Sequence, residues 1–222
     1  MRTSPSAAAA EDRATRRRTA RRIADLLAKE YPDARCALDH RGPFELLVAT
    51  ILAAQCTDER VNQTTPALFA RFPDAAAMAA SDSAELESLV RPTGFFRAKA
   101  RSIRGAAETL ARRFTDGFPS CMEDMLALPG VGRKTANVVL GTCFDQPAII
   151  VDTHVRRVSQ RLGLATSDDP DVIERQLQEL LPSERWTSFS HQLTFHGRRR
   201  CHARKPDCGP CTLAGLCPSR PG

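Results

Sequence analysis

The chain has 222 residues, 42% of them apolar and 26% charged, with a formal net charge of +6. That length allows one large core or two small domains around a cleft, and no run nears the ~20 apolar residues of a membrane span. A basic balance suits a polyanionic partner without specifying one, and the opening residues lack the apolar stretch of a secretory signal, so a cytoplasmic, nucleoid-associated protein is expected.

Residues 1–20 are expected to form a flexible basic extension. Arg13, Arg16, Arg17, Arg18, Arg21 and Arg22 lead into Ile23, Leu26 and Leu27, which share one helical face. The arginines suit either a solvated surface or direct DNA contact. The Arg- and Ala-rich opening would also suit a transit peptide, but Glu11 and Asp12 argue against one. Gly42-Pro43 opens a helix whose run "FELLVATILAA" is apolar on nearly every side and belongs in the middle of a bundle. Asp58 is placed as the cap of the next helix, which runs to about Phe72.

Short helices are expected around 74–80 and 83–90. Over 95–114, Phe96, Ala100, Ile103, Ala107, Leu110 and Phe114 alternate steps of four and three, which predicts an amphipathic helix with arginines outside. Helices follow at 121–128, 133–143, 153–162, 170–181 and 184–198, and "PAIIVD" is the only strand-like run. Alanine and leucine dominate and β-branched runs are short, so the fold class is all-α. Cys36, Cys56, Cys121 and Cys143 are scattered through helical stretches and read as small buried thiols.

The stretch "MLALPGVGRKTANVVLG", residues 125–141, carries the most information. A helix ends at Leu128, Pro129 stops it, Gly130 and Gly132 allow a tight turn, and a new helix starts at once. Bare glycines around Val131 leave backbone N–H groups open, and the new helix adds the positive end of its dipole. Such a turn binds phosphate without reading sequence. Arg133 stands where a Walker loop needs glycine, and no strand precedes the turn as a dinucleotide fingerprint requires. On these residues alone, a plain αα-turn remains the alternative.

The tail holds Cys201, Cys208, Cys211 and Cys217 in the spacing C-x6-C-x2-C-x5-C. Four clustered thiols point to metal ligation in a reducing compartment, not a secreted disulfide framework. Zinc and a [4Fe–4S] cluster both remain open on spacing alone. Arg199, Arg200, Arg204 and Lys205 crowd the first ligand interval, so ligation would hold a basic loop against phosphates.

"LPGVGRKTANVVL" followed by "VDTHVRRVSQRLGL", with "ILAAQCTD", "GFFRAKA" and the cysteine tail, resembles the helix-hairpin-helix DNA glycosylases, in particular their pyrimidine-specific branch. The resemblance runs from about residue 20 to 218. It implies that Lys134 is a nucleophile that forms a Schiff base, and that Asp152 is its catalytic carboxylate. The amine would need a lowered pKa, from desolvation or from Arg133 and the helix dipole. A cap for the helix at 153–162 is the other role open to Asp152, and the two are compatible.

The resemblance further implies that Gln55 fills the gap left by a flipped nucleotide and that Phe95 wedges the opposite strand. Core packing is a rival for Phe95. The family often has an aliphatic residue there and a small polar one at Arg97, which puts lesion range and opposite-base preference in doubt. Asp58 and His154 match pocket-lining positions, with capping and a structural histidine as their alternatives. His191 and His196 are read as structural or without an assigned role. The resemblance also implies a [4Fe–4S] cluster on the four tail cysteines.

The expected protein is two-lobed. A helical barrel domain, 36–146, would carry the hairpin, and 21–35 with 147–222 would form the cluster domain, with DNA in the groove between. The expected partner is double-stranded DNA containing damaged pyrimidines or abasic sites, met by a monomer. A non-catalytic DNA-binding module would need neither Lys134 nor Asp152. An adenine-mispair glycosylase would lack the lysine and carry an acid in "ATILAAQ", which has none. A photodimer-specific enzyme would keep the same mechanism.

Overall fold

The computed structural model describes residues 7–221, and among these the chain forms eleven α-helices, three short 3-10 turns and no strand. The chain divides into two compact units, with the breaks after Arg35 and after Gln146.

In the unit from 36 to 146, α1 of the chain is absent and the first helix is α2, Pro43–Leu52, after α1 at Ala7–Glu30 in the other unit. Proline at its first turn costs no hydrogen bond, and Leu46, Leu47, Val48, Ala49, Ile51 and Leu52 are all buried. Glu45 is buried with them. Its carboxylate accepts from the Arg41 backbone N–H and Nε, each at 2.7 Å, so this acid within an apolar run is satisfied. Then come α3 (Asp58–Arg71), α4 (Ala75–Ala79), α5 (Ser83–Val90), a 3-10 turn at Arg91–Thr93, α6 (Phe96–Arg113), α7 (Met122–Leu126) and α8 (Arg133–Cys143). Asp58 does not cap α3. Thr57 does, accepting the Arg60 N–H, and Asp58 becomes the first helical residue.

α6 buries Ala100, Ile103, Ala106, Ala107 and Leu110 along one face, as its four–three spacing requires. It packs on the turn before α8 through two glycines. A Cβ at Gly105 would lie 3.1 Å from Pro129 Cβ, and one at Gly130 would lie 2.4 Å from Ser102 Cβ.

The other unit holds α1, α9 (Thr153–Arg161), α10 (Pro170–Leu180) and α11 (Trp186–Arg199). Ala20, Ile23, Ala24 and Leu27 of α1 join Ile149, Val151, Val155, Val158, Ile173, Leu177, Phe189 and Leu193 in its core. The segment expected to be flexible over 1–20 is helical from Ala7 onward, because an alanine- and arginine-rich sequence propagates helix well. Residues 1–6 of that segment lie outside the described residues. Ala20 is fully buried, Arg17 Nε donates to Glu179 O at 2.9 Å and Arg16 reaches Leu164 O at 3.5 Å, so part of the basic run is spent on internal contacts.

"PAIIVD" is not a strand. Its backbone is satisfied by α11 side chains instead: Ala148 N–H donates to Thr187 Oγ1 at 3.2 Å and Ile150 N–H to Ser190 Oγ at 2.9 Å. None of the four scattered cysteines is fully buried. Cys36, Cys56 and Cys143 are half-buried, and Cys121 is exposed because it precedes α7, where its Sγ donates to Asp124 Oδ2 at 3.2 Å.

Candidate nucleic-acid interface and catalytic groups

The hairpin joins α7 to α8. Gly130 has φ +75, in the left-handed region where a side chain is strained, and it also has no room for a Cβ beside Ser102. Gly132 is different. Its backbone is extended, at φ −96, and open space surrounds the position of a Cβ. Only Gly130 is therefore demanded by the turn; Gly132 keeps the mouth of α8 clear. The first N–H groups of a helix have no intrahelical acceptor and face outward as anion donors. Lys134 is the second residue of α8 and is exposed, as is Arg133. Of the two influences expected on the amine, burial by the protein is absent, while Arg133 and the start of α8 adjoin it.

Gln55 and Phe95 belong to the same unit. Both are exposed, and both are non-glycine residues with left-handed backbone, φ +53 and φ +47. Phe95 leaves 67% of its surface in solvent and precedes α6 as its cap residue, which rules out core packing. Phe96, beside it, is half-buried under Arg91 and Arg97, whose guanidinium carbons lie 5.2 and 5.5 Å from its ring centre. Beneath the two segments lies Lys99, whose Nζ donates to Leu52 O at 2.8 Å and Thr93 O at 2.6 Å. Asp58 is half-buried at the start of α3.

In the other unit, Asp152 caps α9: its Oδ1 accepts the Val155 N–H at 2.7 Å, and its Oδ2 lies 3.2 Å from the Thr194 hydroxyl, which also has Ser190 O at 3.1 Å. His154 and His191 are close enough for the Asp152 charge to raise their pKa values, but burial is the larger influence and holds both below the usual histidine range. Arg157 Nη2 lies 3.1 Å from His154 Nδ1. His154 also packs on Gly197, where a Cβ would come within 2.8 Å of its own Cβ. Its structural reading therefore has specific contacts behind it.

Cys201, Cys208, Cys211 and Cys217 line one pocket with Val158, Leu162 and Leu213. Among the described residues, no group of three His, Cys, Asp or Glu side chains stands ready to hold a single metal ion. Arg161 Nη1 donates to Cys201 Sγ at 3.3 Å and to His202 O at 2.7 Å, and Nη2 donates to Ala203 O at 2.9 Å. Arg157 donates to Cys201 O and, at 2.9 Å, to Gly197 O. Arg204 and Lys205 lie exposed in this loop.

A family model described as HhH-GPD superfamily base excision DNA repair protein matches residues 48–183. The chain belongs to this family. It is 54% identical over 207 residues to Endonuclease III of Synechocystis sp., covering 93% of this chain and 94% of that relative. Two solved structures, a non-covalent Endonuclease III–DNA complex and a trapped Endonuclease III–DNA covalent intermediate, each superpose with a TM-score of 0.87 at 43% identity. They cover 91% of this chain, and 95% and 96% of theirs.

As an HhH-GPD protein of the endonuclease III type, the chain is a DNA glycosylase of base excision repair, and its partner is DNA. No helix among the described residues is long and apolar enough to cross a membrane. Around the glycosylase's candidate groups, sequence reasoning missed Thr194 and Lys99 and gave His191 no role: these are three residues the packing brings in. Thr194 and His191 lie on α11, about 40 residues from Asp152, and nothing local signals their approach. Lys99 could have been found, since it falls beside the apolar stripe of α6, where a surface lysine does not belong.

Proposed function

We propose that the protein is a bifunctional enzyme that releases damaged pyrimidines and then cleaves the strand, with Lys134 as nucleophile. The observation that carries this is an exposed amine on the first turn of α8, next to a turn held tight by Gly130 and left open by Gly132. A phosphate docked on the α8 N-terminus would bring a sugar to the amine. DNA, not the folded protein, would then supply the desolvation that the amine needs.

The neutral Lys134 amine attacks C1′, and the bond to the base breaks with its electron pair leaving on the base. The ring oxygen departs from C1′ as a hydroxyl, and an imine forms. The imine acidifies the C2′ proton; its removal expels the 3′ phosphate, and water then frees the lysine. Asp152, aimed by Val155 N–H and Thr194, opposes the positive charge that builds on the sugar and takes up protons from the amine. The resident groups for opening the duplex are Gln55 as plug and Phe95 as wedge. Gly130, Val131, Gly132, Arg133, Arg204 and Lys205 would bind phosphates, and Asp58 and His154 would border the base.

The four tail thiols fit a [4Fe–4S] cluster. They share one pocket, and four thiolates are the donor set such a cluster takes. When bound, the cluster would supply four iron–thiolate bonds that pin the basic loop, and no step of the reaction passes through it. The enzyme would work as a monomer on chromosomal DNA in the cytoplasm.

Borohydride trapping on duplex DNA with one abasic site tests the reading. A covalent adduct in the native protein that disappears in Lys134→Ala supports it; an adduct that persists in the variant refutes Lys134 as nucleophile. A panel of oxidised pyrimidines and photodimers then sets the lesion class.

A further inference from the structure

We infer that Lys99 is a positioning residue: its ammonium, bridging the carbonyls of Leu52 and Thr93, sets the separation between Gln55 and Phe95. The inference rests on the duplex-opening roles proposed for those two side chains.

Lys99 is only 5% exposed. Burying a lysine is costly unless its charge finds partners, and a methionine would fill the same space without that cost. Here the ammonium finds two carbonyl oxygens, at 2.8 and 2.6 Å, and their positions matter. Leu52 ends α2, three residues before Gln55. Thr93 ends the 3-10 turn, two residues before Phe95. Carbonyls at helix ends lack intrahelical donors and carry the negative pole of the dipole, so one cation holds both segments by their ends.

The backbone of Lys99 completes the tie. Its N–H donates to Phe95 O at 3.1 Å, so the residue that grips Leu52 and Thr93 with its side chain grips Phe95 with its main chain. Gln55 and Phe95 both hold left-handed backbone, which persists without glycine only where surrounding contacts enforce it. Further along α6, Ser102 and Gly105 seat Gly130 and Pro129, so Lys99 sits on the helix that bears on the hairpin as well.

The test compares the native protein, Lys99→Met and Lys99→Arg on an abasic site in duplex and in single-stranded DNA, by single-turnover borohydride trapping. A single strand needs no plug or wedge. The expected result is a loss of about tenfold or more on the duplex for Lys99→Met. Trapping on the single strand should stay within about twofold, and Lys99→Arg should recover part of the duplex rate. Amide exchange should quicken at 53–56 and 94–97 and stay unchanged at 129–134. An unchanged duplex rate overturns the inference, as does an equal loss on both substrates with faster exchange throughout the unit. Gln55→Ala and Phe95→Ala serve as controls: if neither slows the duplex reaction, the duplex-opening reading itself fails, whatever Lys99 does.

Discussion

Thr194 Oγ1 lies 3.2 Å from Oδ2 of Asp152 and 3.1 Å from Ser190 O, so its single proton is shared between them, while Oδ1 of Asp152 accepts the Val155 N–H and caps α9. The cap and the chemistry can be separated. Asn caps as well as Asp, so Asp152→Asn should keep stability within a few tenths of a kcal/mol. It should still slow base release by about a hundredfold or more. Asp152→Ala should lose both activity and ~1 kcal/mol of stability. Single-turnover base release and urea unfolding, measured side by side, check this; an active Asp152→Asn would reduce the residue to a cap.

The two hairpin glycines should respond differently. Gly130→Ala forces a side chain into left-handed backbone and against Ser102 Cβ, which should cost about 1–3 kcal/mol and show as a lower melting temperature. Gly132→Ala meets no neighbour and should leave melting nearly unchanged, but its methyl would stand where a phosphate approaches. DNA affinity should therefore fall without loss of fold.

Stability should depend on pH through His154 and His191. Burial holds both below the reference of 6.5, so between 6.5 and the folded values the unfolded chain binds more protons. The stabilisation from keeping these rings neutral is fully present above about 6.5 and is lost as pH falls through that value. Urea midpoints at pH 7.5 and 5.5 should differ in that sense, and His191→Gln should flatten the difference. A midpoint that rises on acidification would contradict the assignment.

DNA binding should weaken steeply with salt, with a log–log slope near −0.9 for each phosphate neutralised. Arg204→Ala and Lys205→Ala should each reduce that slope by about 1 if the loop contacts phosphate. An unchanged slope would remove the loop from the interface.

Much of this was legible in the residues. The α8 bounds, Arg133–Cys143, coincide with the expected 133–143, because proline and glycine punctuate the chain where the helix starts. The four-and-three spacing of α6 was equally readable. The α3 cap was not. Thr57 and Asp58 are both good capping residues, and only the geometry shows that Thr57 holds the Arg60 N–H. The surroundings of Asp152 were hidden for another reason: Thr194 and His191 reach it through tertiary packing, which leaves no periodic trace. For Phe95 the residues left two readings open, a wedge and core packing, and only the left-handed backbone that turns it outward excludes the second.

α9 has only nine residues, about 13 Å at the usual rise, and both of its ends are engaged. Asp152 closes one end. Near the other, Arg157 and Arg161 grip the Cys201–Ala203 main chain. A rod this short has no slack to absorb movement, so a shift of that main chain is felt at the carboxylate almost undiminished. With Asp152 in the role proposed for it, the rate of base release would double as a gauge of whether the far end of the rod has been correctly assembled.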